Sequence, residues 1–117
     1  MAYYYKHVFH PAYPLGGVTF AIDHDKETNE VKMSWSVCSE NDMFSRSIGR
    51  DIANQNMTDG VFILGKFDKE LNVFQNIMNL FINHSPKNTW EKRYKEQAID
   101  RIRFYYLVDL YVSDAYG

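Results

Sequence analysis

Two alternating runs separated by a short polar stretch constrain this chain more than any other feature in it. Val18, Phe20 and Ile22 share one phase, with Thr19 and Ala21 between them. Val31, Met33, Trp35 and Val37 share the next, with Lys32, Ser34 and Ser36 between. A period of two puts each apolar set on one face of a strand. The residues from Asp23 to Glu30 are turn-forming and polar, so the two runs predict an antiparallel hairpin. A hairpin alone is marginal in water and needs a further layer over its apolar face.

The flanking segments supply that layer. Ahead of the hairpin, residues 1–15 are rich in rings (Tyr3, Tyr4, Tyr5, His7, Phe9, Tyr13) but carry Pro11 and Pro14. Proline cannot donate to a ladder, so this segment reads as an arm or an edge strand. After the hairpin the period changes. Ser39 and Asp42 have capping-box spacing, and Phe44, Ile48 and Ile52 follow every fourth residue, predicting a helix over 41–54. Gly49 costs such a helix roughly 1 kcal/mol against Ala, which fits a place of close approach. Residues 54–60 read as a loop, and Val61 to Leu64 as a short strand buried on both faces. Asp68 is placed to cap a second helix with the stripe Leu71, Phe74, Ile77, Met78 and Phe81, ended by His84-Ser-Pro86. Asn88 and Glu91 form another box, opening a third helix from Thr89 to about Val108 with the stripe Tyr94, Ala98, Ile102, Tyr105 and Tyr106. Residues 105–112 fit either the end of that helix or a last strand. The expected fold is α+β: an antiparallel sheet of three or four strands packed against two or three helices, which cover one face.

A length of 117 residues suits a single domain over 1–117. Its 13 basic and 15 acidic side chains give a net charge of −2, which excludes a wholesale electrostatic DNA-binder. The lone Cys38 has no partner for an intrachain disulfide and fits a reducing compartment. No apolar run approaches the roughly 20 residues a membrane span needs, and the start lacks the pattern of a secretory signal. Aromatic residues make up 16% of the chain, enough to build a small core and leave rings over for a partner or ligand.

Recognisable catalytic motifs are absent: there is no Gly-rich phosphate loop, nucleophile elbow or zincin signature. His7 and His10 lack matching ligands for a closed zinc site, so no metal or other cofactor is expected. Cys38 reads as a buried residue at a strand end. What remains is a set of arginines near rings and small polar groups. Ser39 and Asn41 fall at the predicted start of the first helix, whose positive end favours an anion. Arg46 and Arg50 lie four apart, on one face opposite the apolar stripe, and guanidinium groups grip phosphate with paired hydrogen bonds. Asp42 has the spacing to pair with Arg46 as an ordinary surface ion pair, and its charge opposes an anion there. Arg101 and Arg103 precede Phe104 and Tyr105, joining cations to stacking rings. The alternating charges around them (Lys92, Arg93, Lys95, Glu96, Asp100) equally suit a solvated helix face.

The segment Gly16-Gly17-Val-Thr-Phe-Ala21, followed by Cys38-Ser-Glu-Asn-Asp-Met-Phe-Ser-Arg-Ser-Ile-Gly-Arg50-Asp-Ile-Ala53, resembles small accessory proteins of tailed bacteriophages. The resemblance covers about the first half of the chain. It implies an anti-defence role in the host cytoplasm, by one of two routes. One is sequestration of a cyclic-nucleotide or ADP-ribose-type signal, as in a Thoeris anti-defence sponge. The other is docking on a host defence protein in the manner of an anti-CRISPR. None of that family's binding residues is carried over. The residues themselves favour the first route: a non-enzymatic homo-oligomer holding a phosphate-bearing ligand with Ser39, Asn41, Arg46, Arg50, Arg101, Arg103, Phe104 and Tyr105. That expectation requires the four arginines to gather around one hollow.

Overall fold

The computed structural model describes residues 2–10 and 13–116, and the side chains of 4–9, 15–39 and 41–104. The elements run β1 (Ala2–His10), β2 (Tyr13–His24), β3 (Glu30–Met43), α1 (Arg46–Thr58), β4 (Ile63–Lys66), α2 (Val73–Asn83) and α3 (Thr89–Tyr116). The four strands form one antiparallel sheet in the order β1-β2-β3-β4, an α+β architecture. Within the expected arm or edge strand of residues 1–15, Ala2–His10 form an edge strand while Tyr13–Leu15 open the central β2, and β2 and β3 are the hairpin read from the alternation. Asn29, at φ 61°, closes that hairpin in the left-handed region, where Asn is among the least strained non-glycine residues.

Phe20, Met33 and Trp35 are fully buried on one face with Val18, Ile22 and Val31, against Ile77, Leu80 and Phe81 of α2 and Ala98 and Ile102 of α3. Phe81 meets the rings of Phe20 and Trp35 edge-on at 5.7 and 5.2 Å. The other face is covered too, which the alternation did not foretell. Thr19, Ala21 and Ser34 are wholly buried there beneath α1. Ser34 Oγ donates to the Ala53 carbonyl at 2.6 Å and Ser36 Oγ to the Gly49 carbonyl at 2.9 Å. Small side chains let α1 lie close on the sheet. A Cβ on Gly49 would come within 2.2 Å of Thr19 Oγ1, so the helix-weakening glycine is the residue that permits the approach.

Several expected boundaries shift for physical reasons. β3 continues to Met43, so Ser39 and Asp42 lie in a strand and cap nothing. The cap of α1 is Ser45, whose Oγ accepts from Ile48 N, and the helix continues through part of the expected loop to Thr58. Gly16 and Gly17 do not open β2. They sit at a bulge inside it, where Phe44 lies over Gly17 so closely that a Cβ would enter its ring. The strand expected at Val61 to Leu64 begins at Ile63 and is an edge strand, with Ile63 buried and Leu64 67% exposed. The cap of α2 is Asn72, in a reciprocal box with Gln75; Asp68 stands outside the helix, held by Asn76. Glu91 N bonds Asn88 Oδ1 at 2.8 Å, as the box before α3 requires, while the Glu91 carboxylate accepts from Lys87 N. Residues 105–112 are helical.

Candidate functional site

The register of α1 distributes its side chains three ways. Gly49 and Ala53 face the sheet. Ile48 and Ile52, the apolar stripe read from the sequence, are 60% and 46% exposed on the side toward the end of β3. Arg46 and Arg50 take the opposite side, over β1. Arg46 lies over the Phe9 ring at 5.4 Å and Arg50 over the Tyr5 ring at 5.9 Å, both within cation–π reach. Phe9 stacks on Phe44 at 5.0 Å, and His7, between Tyr5 and Phe9 on the same strand face, meets Phe44 edge-on at 5.7 Å. His7 Nδ1 and Thr19 Oγ1 share a hydrogen bond of 3.0 Å, and the Tyr5 hydroxyl accepts from Asn54 Nδ2 at 2.7 Å. Burial first, then the Arg46 and Arg50 charges, hold the His7 pKa below its ordinary value.

The ion pair expected between Asp42 and Arg46 does not form. It requires both residues on one helix, and Asp42 belongs to β3. Neither Arg46 nor Arg50 pairs with a described carboxylate.

A second group of expected residues meets across the sheet. Ser39 of β3 and Arg101 and Phe104 of α3 line one open hollow of about 560 Å³ with Val37, Cys38, Tyr94, Gln97 and Asp100. Tyr94 marks its inner end, where its ring stacks on Trp35 at 5.0 Å and on Trp90 at 5.2 Å. β4 pairs with β3 only as far as Met33, so the Trp35 carbonyl has no strand partner on that side. It accepts instead from Asn56 Nδ2 at 2.9 Å and from the Tyr94 hydroxyl. Burial pushes the Tyr94 pKa up to about 12 despite the opposing bond from Asn56.

Cys38 is half-buried within β3, not fully buried at a strand end. Its thiol is raised above the ordinary value by burial and by Asp42, against smaller opposing effects of the Gly16 backbone and the Arg101 charge. It faces the carbonyls of Ser39, Asp42 and Met43 at 3.6–3.7 Å. These neighbours favour the neutral thiol over a nucleophilic thiolate.

The expected eight residues thus divide. Arg46 and Arg50 lie together on the α1 side of the sheet; Ser39, Arg101 and Phe104 lie together on the α3 side. The single gathering of four arginines is not formed, because the two helices that carry them pack on opposite faces. Asn41 is exposed on β3, its N–H bonded to Ser39 Oγ at 3.3 Å, and is not at a helix start. Arg103 is exposed and turned from the hollow, and the side chain of Tyr105 lies outside the described residues. Tyr94, Gln97 and Asp100 were missed as hollow-lining residues. The first two had a visible signal: positions 94, 97, 101 and 104 follow a helical stripe beside the core positions Ala98 and Ile102.

A smaller hollow of about 250 Å³ opens on the other side of the β3 edge, between it and α1, lined largely by Met43, Phe44, Ile48 and Ile52. Among the described residues there is no cluster of three metal-ligating side chains, and no helix is long and apolar enough to cross a membrane. Comparison with protein-family models, with curated proteins and with solved structures gives no match.

Proposed function

We propose that this chain is a non-enzymatic binding protein that sequesters a small phosphate-bearing nucleotide in the hollow between β3 and α3. The observation that carries this reading is the meeting there of Ser39, Arg101 and Phe104. Ser39 is distant in sequence from the α3 pair, and the three are complementary in chemistry. In this reading Arg101 takes a phosphate, with Ser39 and Gln97 as neutral hydrogen-bonding groups. Phe104 offers a ring to the base, a contact worth about 1–3 kcal/mol per base in single-stranded complexes. Asp100 accepts from sugar hydroxyls or a base edge and keeps the site from holding anions indiscriminately. Anti-defence sequestration in a bacterial host, by an oligomer of this chain, is the setting the phage resemblance suggests for such a binder.

Titration calorimetry against cyclic dinucleotides and ADP-ribose derivatives tests the reading. The expected result is one ligand class whose affinity falls about 10–100-fold in Arg101→Ala, the loss of one charged hydrogen-bonding group. Absence of heat with every member, or a ligand indifferent to Arg101, overturns it.

Docking on a host protein is the second reading, and the exposure of Ile48 and Ile52 beside Met43 favours it. Large apolar side chains grouped on a surface suit a protein contact. An Ile48→Ser, Ile52→Ser variant separates the two readings: docking would be lost and nucleotide binding kept.

A further inference from the structure

We infer a second anion site, on the opposite face of the sheet from that hollow and independent of it: Arg46 and Arg50 form a clamp for two anhydride-linked phosphates. Four features converge on this shelf. The guanidinium groups are one helical turn apart, with Cα atoms separated by a rise of about 6 Å along the axis. Each is laid over a β1 ring, Arg46 on Phe9 and Arg50 on Tyr5. A cation held by the quadrupole of a ring does not use up its N–H donors on that ring, so they can serve an acceptor. Neither is ion-paired with a described carboxylate; the first turn of α1 carries no acidic residue, and the first one on the helix is Asp51, next to Arg50 in sequence. The positive end of that helix adds to the same field. His7 stands between the two rings, and the charges that lower its pKa are those of the two arginines.

The size of the ligand follows from the spacing. The rings beneath the two heads, Tyr5 and Phe9, stand four residues apart on β1, about 13 Å along a strand, which is long for one phosphate to serve both heads over their rings. Two linked phosphates give each head its own acceptor while both stay over their rings. Paired N–H···O contacts at each end then select a diphosphate over a monophosphate. The floor of the shelf also resists collapse. Phe9 is stacked on Phe44, Phe44 rests on Gly17, and Tyr5 is tied to Asn54.

Inorganic pyrophosphate and orthophosphate, titrated into the full chain while His7 ring resonances are followed by NMR, test the assignment. Pyrophosphate should bind about tenfold or more tightly than orthophosphate and move the His7 signals. Arg46→Ala and Arg50→Ala should each lower that affinity about tenfold or more, while Arg46→Lys should keep only part of it, since lysine supplies charge without the fork. Arg101→Ala should change it by less than about twofold, which separates failure of this site from failure of the nucleotide hollow. Equal affinity for the two anions, unmoved His7 signals, or binding that survives both alanine variants overturns the proposal. If an alanine variant unfolds, the wild-type comparison of the two anions at His7 still decides.

Discussion

Trp35 is where the two faces of the molecule are joined through single side chains. Its ring is buried against Phe81 and Tyr94, and its carbonyl is served by one residue from α1 and one from α3. An unserved buried carbonyl costs about 1–3 kcal/mol, so Asn56 and Tyr94 do the work that a longer β4 would otherwise do. Tyr94→Phe keeps the ring stack and leaves Asn56 on the carbonyl, so the expected loss is about 0.5–1.5 kcal/mol, read from chemical denaturation. The same hydroxyl sets a pH dependence. The folded chain retains its proton to about 12, against an unfolded value of 10.0. Stability from this group is therefore complete below about pH 10 and is lost as pH rises toward 12. A spectrophotometric titration should show a tyrosine ionising near 12 that disappears in Tyr94→Phe.

At the scale of elements, α2 is held at its start by a residue that apolar periodicity passes over. Asn76 is buried beside Ile77, yet its side chain accepts from Asp68 N at 2.8 Å and donates to the carbonyls of Asp68, Leu71 and Asn72. It organises the whole turn between β4 and α2. Asn76→Ala should cost about 2–3 kcal/mol, more than the roughly 1 kcal/mol expected for removing the Asn72 cap, and parallel melts of the two variants check the order. The same kind of residue explains what was legible beforehand. The β2–β3 hairpin and the core stripe of α2 could be read because large apolar side chains repeat at the period of the element. The orientation of α1 could not. Its contact with the sheet is made by Gly49 and Ala53 against Thr19, Ser34 and Ser36, residues too small or too polar to register as a core face. Its visible stripe of Ile48 and Ile52 points outward instead. That inversion also hid the site chemistry, since the same rotation sends Arg46 and Arg50 to β1, away from Arg101.

The whole molecule is a sheet with helices on both sides, and β1 closes one edge of it. Tyr3 to Val8 pair with Asp23 to Val18 of the central strand β2, and Tyr5, His7 and Phe9 reach α1 or Phe44 just ahead of it. Removing residues 1–10 therefore does more than delete an aromatic surface. It opens the edge of β2, takes the rings from beneath Arg46 and Arg50, and uncovers Thr19 and Phe44. An unprotected edge strand invites pairing with another chain. The truncated protein should melt well below the full chain and elute from a sizing column as larger assemblies. If it keeps the full chain's elution volume and melting, β1 is a detachable arm, and the shelf it floors cannot be a rigid site. Because of this coupling, an interaction lost on truncation says nothing about whether β1 touches a partner. Single substitutions that leave the ladder intact are the informative ones. Phe9→Leu is the sharpest: the strand and its pairing stay, the stack on Phe44 goes, and Arg46 loses its ring. It should lower pyrophosphate affinity several-fold with a loss of stability no greater than about 1.5 kcal/mol, the usual cost of an aromatic pair.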